Sequence, residues 1–271
     1  MTPGAPSLMA AVQMTSGADK AENVEKATGL VRRAASRGAS FVGLPENFAW
    51  MGPEPERDEN AEPLEGKTLA TIQTLARDLR ITLLAGSVLE TGAPGGRLFN
   101  TSVLFGPDGA RLAVYRKMHL FDVEVGDGQT YRESAAVAPG TEVVVANAPL
   151  GKVGLSVCYD LRFPELYRRH SEAGAGLLTV PAAFTLATGK DHWEVLLRAR
   201  AIENQAYVIA PAQQGRHPRD RMTWGHAMIV DPWGLVTARA SEGEGLAMAE
   251  FDGALLAKIR KSLPALQHRR L

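Results

Sequence analysis

Short apolar runs alternate along this chain with amphipathic stretches of helical period, and that alternation leaves few architectures open. Leu8 to Met14 reads as a first buried strand. A helix follows from Asp19, a good N-cap residue, with Val24, Ala27, Val31 and Ala34 on one face and a stop near Gly38. Ser40 to Leu44 is a second strand, Thr68 to Arg80 a helix and Ile81 to Leu89 a third strand. Phe99 to Phe105 and Ala110 to Tyr115 flank Gly106-Pro107-Asp108-Gly109, whose turn chemistry joins them as a hairpin. Strands at Val143 to Ala146 and Lys152 to Val157 surround Pro149-Leu150-Gly151. A helix from Pro164 to Ala173 and a strand from Leu177 to Val180 follow. Asp191 caps a helix in which Trp193, Leu196, Leu197 and Ala201 share a core-facing stripe. Strands at Tyr207–Pro211, His226–Val230 and Leu246–Phe251 precede a last helix near Leu255–Lys261. Residues 119–141 read as irregular, and Gly52 to Gly66 as an acidic, proline-rich loop in which Pro53 to Glu65 is either a lid or a solvated segment. Strand–helix units give parallel neighbours and hairpins give antiparallel ones. The expectation is an α/β layered fold with mixed sheets, and without a linker or repeat it spans residues 1–271 as a single domain.

Charge and cysteine content narrow the class. The 30 basic residues balance 30 acidic ones, so no net field draws the chain to nucleic acid or to anionic lipid. No apolar stretch is long enough to span a membrane, and the N-terminus lacks a basic segment before its apolar run. The one cysteine, Cys158, has no internal disulfide partner, which suits a reducing, cytoplasmic setting. Six histidines form no HxxxH pattern and one thiol cannot build a typical zinc site, so no metal is expected. Neither GxGxxG nor GxxxxGK[ST] occurs, so no nucleotide cofactor is indicated.

Three strand ends carry isolated reactive groups in apolar surroundings: Glu46 after FVGLP, Lys117 after LAVYR and Cys158 after VGLSV. Strand ends are where layered α/β folds place their chemistry, and a buried carboxylate or ammonium is costly unless paired. Taken singly, each has a plain structural reading. Cys158 suits a small core position, Lys117 an exposed basic pair with Arg116, and Glu46 a loop carboxylate capping nearby amides.

The words around them point elsewhere. LPENFAW, YRKMHLFD, YRES and GLSVCYDLRFPELYR, in that order, resemble the motifs of the nitrilase superfamily of carbon–nitrogen hydrolases, and the resemblance continues through PAAFTLATGKDHWEVLLRARAIENQAYVIAPAQ and GHAMIVDPWG. It implies a four-layer αββα sandwich that pairs at least into a homodimer. It also implies a Glu-Lys-Cys triad at Glu46, Lys117 and Cys158, with Glu133 as an additional active-site glutamate. Cysteine titrates too high to be a ready thiolate at neutral pH, so a neighbouring base must take its proton; Glu46 is placed to do so and to return it to the departing amine. Lys117 and the backbone N–H of Tyr159 are the expected oxyanion donors. Glu133 orients Lys117, positions the attacking water, or merely satisfies a turn.

Within the superfamily, HWEVLLRARAIENQAYVIAPAQQGRH and the terminal QHRR resemble deaminated-glutathione amidases, which release 2-oxoglutarate and cysteinylglycine. The sister ω-amidases, acting on 2-oxoglutaramate, come second, and N-carbamoyl amide hydrolases or nitrilases are more distant. A small-molecule amide bearing carboxylates calls for cationic contacts. Arg162 is the nearest in sequence to Cys158, although it could equally pair with Glu165; Arg216 and His217 are alternatives, and Phe184 and Thr185 are expected to line the pocket.

Overall fold

A computed structural model of the protein describes residues 7–125 and 129–270. The first half runs β1 (Ser7–Met14), α1 (Lys20–Ser36), β2 (Ala39–Gly43), α2 (Arg57–Asn60), α3 (Lys67–Leu79), β3 (Thr82–Glu90), β4 (Phe99–Phe105), β5 (Arg111–Arg116), β6 (Asp122–Val125) and β7 (Gln129–Arg132). The second half runs β8 (Val145–Ala148), β9 (Gly151–Leu155), α4 (Pro164–Glu172), β10 (Leu177–Thr179), α5 (Leu186–Asn204), β11 (Tyr207–Ala210), β12 (Ala212–Arg216), β13 (Met222–Trp224), β14 (Met228–Val230), β15 (Val236–Arg239), β16 (Gly245–Phe251) and α6 (Gly253–Ser262).

Two mixed sheets result. One orders its strands β13-β12-β1-β2-β3-β4-β5, with β16 antiparallel to β1; the other runs β15-β14-β11-β10-β9-β8. Parallel pairs (β1–β2–β3, β9–β10–β11) sit at the centres and hairpins extend them.

The layering follows from strand periodicity. Side chains alternate between the faces of a strand, and both faces of β1 are apolar. Met9 and Ala11 pack with Phe41, Leu84 and Leu104 into a core shared with the second sheet, including Val153, Leu155, Leu178 and Ile209. Ala10, Val12 and Met14 pack the other way, onto Ala27, Val31 and Ala34 of α1 and Leu69, Ile72 and Leu75 of α3. On the far side Leu166 and Tyr167 of α4 and Trp193, Leu197 and Ala201 of α5 cover the second sheet. Helices, sheet, sheet, helices: the αββα order buries both faces of each sheet.

Several expected boundaries move. The helix expected to start at Asp191 begins at Leu186, because Gly189 is a close-packing position rather than a stop; a Cβ there would meet Trp224 Cβ at 2.3 Å. Residues 119–141 are not wholly irregular, since β6 and β7 form a hairpin followed by the 3-10 turn Glu133–Ala135. The acidic segment contains a 3-10 turn, Glu54–Glu56, and α2, and Glu62 bridges to Glu90. Strands β12, β13 and β15 form from short segments outside the expected strands, AQQGR, MTW and VTAR. No described helix is long and apolar enough to cross a membrane.

Candidate active site

Glu46 lies three residues beyond β2, in a turn held by β3. At Gly86 the β3–β4 register slips, and a Cβ on this residue would meet the Pro45 carbonyl oxygen at 2.0 Å, so only glycine lets the Leu44-Pro45-Glu46 backbone pass this closely. The Ser87 N–H donates to that carbonyl at 3.3 Å, and the Ser87 hydroxyl accepts from the Asn47 N–H at 3.0 Å. Lys117 follows β5 directly, and its N–H donates to the Asn100 carbonyl at 2.8 Å.

Cys158 opens a 3-10 turn, Cys158–Arg162, three residues beyond the end of β9, at φ +49°. A side chain other than glycine in this left-handed region costs on the order of 1–3 kcal/mol, and it persists only where the surroundings hold it. They do. The Cys158 N–H donates to the Pro181 carbonyl at 3.0 Å. The fully buried Asp160 carboxylate accepts from the Val157 N–H at 2.8 Å, the Tyr115 hydroxyl at 2.6 Å and the His119 N–H at 3.0 Å.

These three elements bring their reactive groups together. Glu46 and Lys117 are each 2% exposed and Cys158 is 7% exposed, so the charges need partners. Lys117 Nζ donates to Glu46 Oε1 at 2.9 Å and to Glu133 Oε2 at 2.8 Å. Asn100 Nδ2 bridges the same two carboxylates, at 3.0 Å to Glu46 Oε1 and 3.1 Å to Glu133 Oε1. The Ala183 N–H donates to Glu46 Oε2 at 2.8 Å, the Phe121 N–H donates to Glu133 Oε2 at 2.7 Å, and Cys158 lines the same cavity as both carboxylates.

The electrostatics assign the resting protons. Burial pushes the Glu46 carboxyl up, but Lys117, the Cys158 thiol and Arg221 outweigh it and hold Glu46 below the usual carboxylate range. Burial and the adjacent Glu46 charge push the Cys158 thiol well up, with Lys117 opposing only in part. Burial works against the Lys117 charge, yet Glu133 and Glu46 overcome it and keep the ammonium protonated. The arrangement is thus a neutral thiol against an ionised carboxylate against an ammonium. Passing the thiol proton to Glu46 changes no net charge, so a low-dielectric site permits it.

These groups open onto a cavity of about 370 Å³, within the range for a small-molecule site. Tyr159, Phe184, Thr185 and His217 line it. His217 is already engaged, Nδ1 with the Ser16 carbonyl at 2.8 Å and Nε2 with the Thr223 hydroxyl at 2.8 Å, and burial draws its pKa down to about 4, so it meets the cavity as a neutral ring. Two expected contacts lie outside the lining. Arg162 packs behind Phe184, 5.0 Å from its ring centroid, with Nη1 3.2 Å from His192 Nδ1 rather than paired with Glu165. Arg216 is exposed at the end of β12 and pairs with Asp220 at 3.5 Å. In their place the cavity holds Asn100 and Arg221, which no motif spacing singled out, while Glu54 and Arg57 of the acidic segment stand at its rim. Asp160 carries a signal in the sequence itself: an acid two residues after a cysteine that ends an apolar run has to be satisfied by something. Among the described residues, no group of three or more His, Cys, Asp or Glu side chains is placed to hold a metal ion.

Known proteins resemble this chain in sequence and in fold. The carbon–nitrogen hydrolase family profile matches residues 8–261. The deaminated glutathione amidase of Synechocystis sp. (strain PCC 6803 / GT-S) is 51% identical over 267 residues, covering 97% of this chain and 98% of the relative. The human omega-amidase NIT2 is 38% identical over 262 residues, covering 97% and 94%. Among solved structures, Nit3 of Saccharomyces cerevisiae, a member of the nitrilase superfamily, superposes with a TM-score of 0.88 at 30% identity, over 98% of this chain and 97% of that one.

Proposed function

The chain belongs to the carbon–nitrogen hydrolase family, and on that premise we propose that it hydrolyses deaminated glutathione to 2-oxoglutarate and cysteinylglycine through a thioester on Cys158. It is an amidase. The observation that carries the mechanism is the Lys117 ammonium held 2.9 Å from Glu46 Oε1 and 2.8 Å from Glu133 Oε2 in the cavity that Cys158 also lines.

The high thiol pKa means that no thiolate waits in the resting site, so attack is base-assisted. Cys158 Sγ bonds to the amide carbon as its proton passes to Glu46, and the carbonyl π electrons move onto oxygen. The oxyanion is met by the Lys117 ammonium and by the Tyr159 N–H, at the start of a 3-10 turn where amides lack intrahelical partners. The C–N bond then breaks, and protonated Glu46 gives its proton to the departing amine. Water enters, Glu46 takes a proton from it, and the hydroxyl adds to the thioester carbon. Collapse breaks the C–S bond, releasing the acid, and Glu46 returns the proton to sulfur. Lys117 stays charged throughout. Glu133, which accepts from Lys117 through both oxygens at 3.1 and 2.8 Å, orients the ammonium rather than the water.

The similarity to human omega-amidase NIT2 supports 2-oxoglutaramate as the second substrate. The family match from residue 8 to residue 261, and the pairing of β1 with β16, support a single domain over 1–271. An exposed apolar band, Val195 and Ile202 on α5 with Trp233 and Leu235 beside them, supports a homodimer. A thiol that must stay reduced for turnover favours the cytoplasm.

The test is product release from purified protein given deaminated glutathione, 2-oxoglutaramate, glutamine, an N-carbamoyl amino acid and a simple nitrile. The expected result is 2-oxoglutarate formed fastest from deaminated glutathione and lost in Cys158→Ala. Faster turnover of 2-oxoglutaramate would move the substrate while keeping the mechanism.

A further inference from the structure

Arg221 lines the active-site cavity. It follows the 3-10 turn Pro218–Asp220 and precedes β13, and its carbonyl oxygen accepts from the His217 N–H at 2.8 Å, which fixes its backbone. Its Nε is buried and meets no acceptor. One Nη reaches the Ala183 carbonyl at 3.4 Å, and the guanidinium lies 5.7 Å from the Tyr131 ring centroid. No carboxylate among the described residues forms an ion pair with it. Other partly buried arginines are differently placed: Arg116 is held by Glu90 at 2.6 Å, Arg200 by Glu203 at 2.9 Å and by the Leu161 carbonyl at 2.7 Å.

The cavity's own acids cannot serve it. Glu46 already accepts from Lys117, Asn100 and the Ala183 N–H, and Glu133 from Lys117, Asn100 and the Phe121 N–H. The cations at the rim are matched, Arg57 and Arg219 by Glu54 and Arg132 by Glu124. A guanidinium with a buried, unused donor, stacked on an aromatic face beside the general base, is preorganised for a planar anion.

We propose that Arg221 binds a carboxylate of the substrate and so restricts this site to anionic amides. This rests on the proposed function for the substrate's identity and adds the residue that selects it. Deaminated glutathione offers two such groups, the 2-oxo acid on the acyl side and the glycine carboxylate on the leaving group.

Arg221→Gln and Arg221→Lys separate the possibilities when assayed on deaminated glutathione, on 2-oxoglutaramate (acyl-side carboxylate only) and on N-butanoyl-cysteinylglycine (leaving-group carboxylate only). Alkylation of Cys158 by neutral iodoacetamide is followed alongside. Loss of a charged hydrogen bond should raise KM about 10- to 100-fold in Arg221→Gln, with kcat and the alkylation rate within about threefold and part of the loss recovered in Arg221→Lys. The singly charged amide that suffers names the carboxylate. Unchanged KM on all three amides, or a fall in kcat matched by an equal fall in alkylation, would overturn the proposal; the latter would mean that Arg221 acts through Glu46. A wild-type protein inert to all three amides would count against the substrate instead. Arg221 is then judged by whether 2-oxoglutarate shields Cys158 from iodoacetamide in wild type and fails to in Arg221→Gln; no shielding in either overturns it.

Discussion

Cys158 is held in a left-handed conformation by hydrogen bonds that leave its sulfur free to face Glu46, so its identity matters to chemistry far more than to packing. Cys158→Ala should remain folded, because losing one sulfur leaves a small cavity, and should lose turnover entirely. Lys117 is the opposite case. Lys117→Gln leaves Glu46 and Glu133 buried against each other without their ammonium, and removing one partner from a buried ion pair costs about 3–5 kcal/mol. Urea denaturation should register that loss, and kcat should fall on the order of 10²–10³-fold from the missing oxyanion donor. An unchanged unfolding midpoint would show that Lys117 is not the charge that balances the site.

The elements explain why the groups meet. Gly86 makes room for the Glu46 turn, and Asp160 ties the Cys158 turn to Tyr115 on β5, the strand that leads directly into Lys117. Gly86→Ala should therefore lower kcat by displacing Glu46, with the intact thiol still reacting with a small disulfide reagent; wild-type kcat would contradict the positioning role. Much of this was legible in the chain. The buried runs from Leu8, Ser40 and Ile81 were readable because central strands apolar on both faces leave no other assignment. Glu46, Lys117 and Cys158 stood out as lone polar residues at strand ends within recognisable motifs. Strands β12, β13 and β15 were not readable, since AQQGR, MTW and VTAR are too short to show a period of two, although β13 and β15 pair with the neighbouring strands β12 and β14. Asn100 and Arg221 were hidden for a different reason. Their roles come from what the fold sets beside them, and no local spacing encodes that.

At the scale of the molecule, acid should unfold this protein before it silences the chemistry. Burial holds the imidazoles of His170 and His217 neutral in the fold, each with a pKa near 4 against an ordinary value of 6.5. The unfolded chain therefore binds more protons than the native one between those values, and stability falls as pH drops from about 6.5 towards 4. Both His170 ring nitrogens are buried without partners. His170→Leu should flatten that slope while leaving stability at pH 8 the same or higher, as read by thermal melts across the range; an unaltered slope would remove His170 from the account. The band on α5 makes a separate claim. Val195→Glu with Ile202→Glu should convert a dimer to a monomer in light scattering, and an unchanged mass would place the interface elsewhere.

The central claim is a covalent bond between Cys158 and the acyl half of the substrate, formed with Glu46 as base. Rapid-quench mass spectrometry of the protein mixed with deaminated glutathione tests it most directly. The account predicts a 2-oxoglutaryl adduct on the peptide carrying Cys158, absent in Cys158→Ala and strongly slowed in Glu46→Gln. Turnover at the full rate with no adduct at any quench time, or full activity in Cys158→Ala, would contradict it.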